Sequence, residues 1–164
     1  MLNILPVDEK VLDFTLKVAE SYYGTHQDLT QIPINKTSFK KLHSFNPNTI
    51  LYKTDDAGHI LGWIIVIPTS KELMNKFLEK RITEKELFDS TDFNQKTDAL
   101  YLCSVFVLPE YRGRGVAKEL SLEAIERFSQ SEKLELFAWL YSKEGKLLAK
   151  NLEQELSRKI FCRV

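Results

Sequence analysis

The sequence predicts an α/β (α+β) fold, a mixed central sheet of about six strands flanked by helices. Three observations predict it. Segments with apolar residues at helical spacing alternate with short runs rich in Ile, Leu, Val and Phe. Two of those runs flank a tight-turn tetrapeptide, which signals an antiparallel hairpin. A later, nearly continuous apolar run leads into a helix and then another strand, a crossover that makes neighbouring strands parallel. At 164 residues, 43% of them hydrophobic, with ten Phe, six Tyr and two Trp, one domain over residues 1–164 has ample core material. A domain of that size buries about 70% of its unfolded surface without disulfides or metals.

In chain order, Leu2–Leu5 is a short strand closed by Pro6, and Asp8 is a helix N-cap. Val11, Leu12, Phe14, Leu16, Val18, Ala19 and Tyr22 recur at helical spacing until Gly24, and a loop with Pro33 leads to a second short helix, Thr37–Phe45. Thr49–Lys53 and Ile60–Ile67 flank Asp55-Asp56-Ala57-Gly58 as a hairpin. Residues 68–96 form a polar helical insert, with Ser70 and Thr83 as N-caps. Ala99–Leu108 is a strand covered on both faces and stopped by Pro109. Arg114–Phe128 is a helix with Ala117, Leu120, Ala124 and Phe128 on one stripe. Leu134–Tyr141 is a strand, Lys143–Leu156 a helix and Lys159–Val164 a last strand. The insert therefore falls between the third and fourth strands.

Charge narrows the partners. Lys+Arg and Asp+Glu both number 23, which argues against nucleic acid and against an anionic membrane surface, since both need a basic surplus. A local basic pocket for one small polyanion survives that argument. Cys103 and Cys162 stand alone in apolar runs without CxxC or HxxxH spacing, so they read as buried free thiols, with no metal site. No apolar run approaches the roughly 20 residues of a membrane span. The first residues lack the basic and apolar regions of a signal peptide, so a cytoplasmic location is expected.

The stretch from Leu102 to Ala117 carries the chemistry: Leu-Cys-Ser-Val-Phe-Val-Leu-Pro-Glu-Tyr-Arg-Gly-Arg-Gly-Val-Ala. A buried strand turns sharply into a helix, and the turn holds two glycines and two arginines. Glycine permits positive φ and close ligand approach. The unpaired first-turn amides and the helix dipole attract an anion, and Arg112 and Arg114 add charge-assisted hydrogen bonds. The turn lacks the GxxxxGK pattern followed by Ser or Thr, and it lacks the third glycine of GxGxxG.

In that context the segment resembles the acetyl-CoA-binding motif of the GNAT (GCN5-related) N-acetyltransferases. The pattern, Gln or Arg, two residues, Gly, one residue, Gly or Ala, is met by Arg112, Gly115 and Ala117. The motif covers Val105 to Lys118, and the element order resembles the family along the whole chain. The resemblance implies the GNAT fold and acetyl-CoA, released as coenzyme A, as co-substrate. It implies that the backbone of Val105, Phe106 and Val107 pairs with the pantetheine arm. It also implies that Arg112, Gly113, Arg114, Gly115, Val116, Ala117 and Lys118 hold the pyrophosphate, and that the Leu134–Tyr141 strand splays away to open a thioester cleft.

The implied reaction is direct attack of an amine, on a small molecule or peptide, at the thioester carbonyl. A base or water relay must take a proton from the amine. Asp98 and Ser104 are candidate bases; Glu110 reads as a solvated turn residue. His26, His43, Tyr22 and Tyr23 fall where the family shapes its acceptor pocket. Many members place a Tyr acid in the helix after the splayed strand, but Lys143–Leu156 contains none. Tyr141, at the preceding strand's end, is the nearest substitute. For the insert, the alternating Lys and Glu read as a solvated face. The functional alternatives are a cover over the acceptor site or a homodimer contact through Phe77, Leu78, Leu87 and Phe88. Family members often carry two strands after the last helix where this sequence has one, so a partner chain completing that edge is a further reading. An acyl-CoA-binding sensor without turnover is the alternative to an enzyme.

Overall fold

The computed structural model describes residues 3–23, 28–33, 35–130 and 133–164. Six strands, β1 (Ile4–Pro6), β2 (Ile50–Thr54), β3 (Ile60–Thr69), β4 (Ala99–Val107), β5 (Glu135–Trp139) and β6 (Ile160–Arg163), form one sheet in sequence order. The first four pair antiparallel; β4–β5 and β5–β6 pair parallel. The helices are α1 (Glu9–Tyr23), α2 (Lys36–Phe45), α3 (Lys71–Leu78), α4 (Glu84–Ser90), α5 (Val116–Ser129) and α6 (Lys143–Leu156). The mixed sheet and the helical insert between the third and fourth strands are as the sequence predicts.

Local chemistry explains most boundaries. The Asp8 carboxylate accepts from Val11 N at 2.9 Å and starts α1. Ser70 caps α3, and Thr83 with Glu86 closes a reciprocal capping box on α4. Gly58 takes φ +87° in the hairpin turn. The helix expected from Arg114 begins instead at Val116, because Gly115 adopts φ +81° and Gly113 +74°, and neither angle continues a right-handed helix.

Helices cover both faces. On one, Val116, Leu120 and Ala124 of α5 and Leu152 of α6 pack on Leu51, Ile64, Leu100 and Leu136. On the other, Leu12, Phe39, Phe77 and Leu87 from α1–α4 pack on Ile50, Ile67, Tyr101 and Phe137. Each such side chain contributes about 1.5–3 kcal/mol on burial. Phe77, Leu87 and Phe88 are therefore core, not the homodimer contact they could have made on a solvated insert. Cys162 is exposed rather than buried, because β6 is an edge strand. Among the described residues no helix is long and apolar enough to cross a membrane.

Candidate acyl-transfer cleft

The parallel ladder between β4 and β5 runs only from Ala99–Glu135 to Leu102–Ala138. Beyond it β4 continues to Val107 while Trp139 pairs outward with Arg163, so the two strands part. A register shift marks the parting. Ile65 faces Ser104 but Val66 faces Leu102, leaving Cys103 as the extra residue of a β-bulge. Bulging puts Cys103 with the α1–α4 core, Val105 with the α5–α6 core and Phe106 back on the opposite side. Strand alternation then sets Ser104 on the same face as Phe106.

Five residues, Cys103–Val107, lack a strand partner on the β5 side, an edge of roughly 16 Å. Which of them offer backbone groups to it follows from the ladder. Leu108 N donates to Leu61 O, and antiparallel pairing alternates, so Phe106 and Ser104 also bond toward β3. Val105 and Val107 point the other way, into the cleft. Phe106 is thus committed to Trp63 through its backbone, and its ring stacks on Trp63 and meets Tyr22. Of the three strand residues the sequence singled out, two face the open edge.

The edge leads into a 3-10 turn, Pro109–Tyr111, and then the glycine turn. Glu119 N donates to Gly115 O as the first bond of α5, so the amides of Val116, Ala117 and Lys118 have no partner within the helix. A Cβ built on Gly113 or Gly115 meets nothing within 4 Å. Space stands open beside both glycines at the helix start, and the positive φ values exclude most other residues there. This cradle fits a pyrophosphate. The cations are arranged less simply. Arg112 folds back, its Nε donating to Val107 O at 2.9 Å and its guanidinium lying over the Phe106 ring. Arg114 lies over Tyr111, and Lys118 pairs with Glu155. Arg114 is exposed and has no carboxylate partner among the described residues.

On the α1–α4 face of the cleft is a polar cluster that sequence reasoning missed. Tyr101, two residues before the bulge, donates its hydroxyl to Glu84 Oε1 at 2.6 Å, and the Cys103 thiol approaches the same oxygen at 3.8 Å. Ile32 N donates to Glu84 Oε2 at 3.1 Å, and Lys85 N to Thr30 O, so the loop after α1 is tied to the insert. Burial pushes the Tyr101 hydroxyl well above its ordinary pKa, with Cys103 and Glu84 adding to it; burial does the same to the Cys103 thiol, with Glu84 adding. Both groups stay protonated at neutral pH. Tyr101 also feels Tyr141 electrostatically. Tyr141 is 76% exposed and edge-on to Trp139, centroids 5.7 Å apart. Nothing in the run Glu84-Lys85-Glu86 distinguishes the first carboxylate in sequence: Glu86 caps its own helix, Lys85 pairs with Asp89, and only Glu84 reaches β4.

The remaining predicted positions separate. Asp98 lies at the far end of β4, roughly 30 Å of strand from Val107, and its carboxylate accepts from Lys71 N at 2.7 Å; it supports the start of α3 and is not brought to the parted strands. Ser104 and Tyr141 are at the parting. His43 is exposed on α2, and Glu110 is exposed in the turn. His26 and the Tyr23 side chain lie outside the described residues. A concavity of about 310 Å³ lined by Lys133, Glu135, Arg158 and Phe161 sits at the opposite end of β5 and shares no residue with the cleft.

No curated protein matches the sequence closely enough to count as a relative. Solved structures do share the fold. AAC(6')-Iy, determined with the bisubstrate analogue CoA-S-monomethyl-acetylneamine, is 16% identical with a TM-score of 0.61, covering 100% of this chain and 95% of that one. The aminoglycoside 6'-N-acetyltransferase AAC(6')-Ih from Acinetobacter baumannii is 18% identical, TM-score 0.56, with the same coverage. Naa20 from Chaetomium thermophilum is 12% identical, TM-score 0.56, over 92% of this chain and 68% of that one. At those identities the likeness is one of fold alone. The model of the Acetyltransferase (GNAT) family matches residues 16–152. That span runs from within α1 to within α6 and takes in the cleft, the bulge and the glycine turn, and the chain belongs to the GNAT acetyltransferase family.

Proposed function

We propose that the chain is an acetyl-CoA-dependent N-acetyltransferase, moving an acetyl group to a primary amine of a small molecule or peptide. One observation carries the reading. The unpaired edge of β4 leads through one 3-10 turn into a glycine turn at the start of α5, whose first amides have no partner within the helix. A ligand with an amide-bearing arm and a pyrophosphate matches that sequence of groups.

Acetyl-CoA supplies an acyl thioester open to attack by an amine lone pair. Val105 and Val107 offer N–H and C=O groups to the arm, although the Val107 carbonyl already accepts from Arg112. The amides of Val116, Ala117 and Lys118 hold the pyrophosphate, and Arg114 adds charge. An N–H at the cleft edge, from Val105 or Val107, stabilises the oxygen that gains charge during attack. Fixing both reactants in one notch supplies much of the rate. Ser104 and Tyr141 are the hydroxyls placed at the parting, Tyr141 as a proton donor to the departing thiolate. A second reading, an acyl-CoA-binding module without turnover, is favoured by the absence of Tyr from α6 and by the exposure of Tyr141.

Melting with acetyl-CoA tests the binding. Ligand at 100 times its dissociation constant stabilises by about 2.7 kcal/mol, a rise of roughly 5–10 °C at this size. Gly115→Glu places bulk and negative charge in the cradle and abolishes the rise. No rise with the wild-type protein refutes the reading, and an undiminished rise in the variant refutes the placement. Coenzyme A release with an amine panel separates enzyme from binding module.

A further inference from the structure

The Glu84 carboxylate sits where three parts of the chain meet: the insert, the loop after α1 through Ile32, and β4 through Tyr101 and Cys103. Tyr101 is almost wholly buried, so the group that orients Glu84 is itself fixed in the core. Three other insert carboxylates have cations, Glu72 with Lys76, Glu79 with Arg81 and Asp89 with Lys85, while Glu86 caps its own helix and Asp92 accepts from Asn94 N. Among the described residues no cation pairs with Glu84. A carboxylate offers about four acceptor positions, and the donors around Glu84 leave capacity for more. A half-buried anion held by neutral donors is complementary to a cation, which gains a charge-assisted hydrogen bond there.

The position of this carboxylate gives that complementarity a purpose. Cys103, which touches it, is the bulge residue at which β4 leaves β5. Trp139 at the end of β5 and Tyr141 just beyond it add aromatic surface beside the same parting; the Arg163 guanidinium already lies over the Trp139 ring, so these rings offer apolar contact to the body of a ligand. Glu84 therefore lies on the α1–α4 face of the notch, across the sheet from α5.

We propose that Glu84 is the acceptor-positioning residue of the cleft, pairing with the ammonium of an incoming amine whose apolar body lies against Trp139 and Tyr141; that ammonium gives one proton to water before its lone pair attacks the thioester. The proposal rests on the N-acetyltransferase reading and adds its acceptor class: an ammonium with a hydrocarbon or aromatic flank. The insert thereby supplies specificity to a site whose cofactor half is built from β4 and α5.

The test uses 2-phenylethylamine and the equally sized neutral 2-phenylethanol at pH 7 with coenzyme A present, read by the NMR signal of the Trp139 indole N–H. The amine is expected to shift that signal and to bind at least tenfold more tightly than the alcohol. Glu84→Gln keeps the shape and a hydrogen bond to Tyr101; it is expected to erase the amine's advantage while the acetyl-CoA melting rise persists. Tyr101→Phe removes only the orienting hydroxyl and is expected to weaken the amine severalfold, which keeps a readout should Glu84→Gln fail to fold. Equal binding of amine and alcohol, no binding of the amine, or unchanged amine affinity in either variant overturns the proposal. A missing acetyl-CoA rise in the wild-type protein overturns the N-acetyltransferase reading instead.

Discussion

Tyr101 and Cys103 hold their protons because burial disfavours the charged forms and the Glu84 carboxylate reinforces this. Both groups lose protons in the unfolded chain, near 9.0 for the thiol and 10.0 for the hydroxyl. Their folded values lie higher, so their stabilising contribution is complete below pH 9 and declines as pH rises through the unfolded values. Each such proton changes stability by about 1.4 kcal/mol per pH unit. Cys103→Ser, whose hydroxyl does not titrate, should flatten the decline that begins near pH 9. Urea midpoints from pH 7 to 10.5 measure it, and parallel curves for the two proteins would refute the assignment. At this scale the sequence was legible where a residue acts through its own backbone, as at Gly113 and Gly115. It was opaque where a side chain reaches across the chain. Glu84 contacts residues 17 and 52 positions away, and no local pattern records such contacts.

The elements themselves were readable because caps and turns are local chemistry: Asp8, Ser70 and Thr83 each start a helix through their own side chains. The bulge was not. In a strand apolar on both faces, no alternation exists to reveal a skipped position, so Cys103 looked like one more core residue. The same strand depends on a glycine opposite it. A Cβ on Gly62 would lie 2.4 Å from Phe106 O and 3.1 Å from Val107 Cα, both backbone atoms of β4. Gly62→Ala must push that edge away from β3 at a cost of about 1–3 kcal/mol. Because Phe106 and Val107 border the cleft, the acetyl-CoA melting rise should shrink as well. A variant with wild-type stability and an undiminished rise would show that the β4 edge tolerates the shift and does not carry the ligand.

Over the whole molecule, equal numbers of acidic and basic residues coexist with a division of labour across the sheet. The β4 edge and α5 present amides and Arg114, and the α1–α4 face presents a carboxylate that has no cation partner among the described residues. Element order foretold the sheet, but not which face receives the insert, since α3 and α4 carry apolar residues beside long charged runs. Arg163 of β6 adds a fastening between the insert and the sheet edge. Its Nη1 donates to Phe77 O at 3.1 Å and Ile82 O at 2.8 Å, and its guanidinium lies 4.5 Å from the Phe77 ring centroid and 4.9 Å from that of Trp139. Ile82 immediately precedes Thr83, the cap of α4, so this one side chain links the aromatic surface of the cleft to the helix that carries Glu84. Arg163→Ala leaves both carbonyls without that donor, a loss of about 1–3 kcal/mol, and frees the start of α4 to drift. The α5 turn lies across the sheet and makes none of these contacts. The expected result is a lower urea midpoint and several-fold weaker 2-phenylethylamine binding, with the acetyl-CoA melting rise retained. Arg163→Lys, which replaces the planar fork with a point charge, should recover only part of both losses. If Arg163→Ala lowers stability but leaves amine binding intact, Arg163 holds the core together and has no part in placing Glu84.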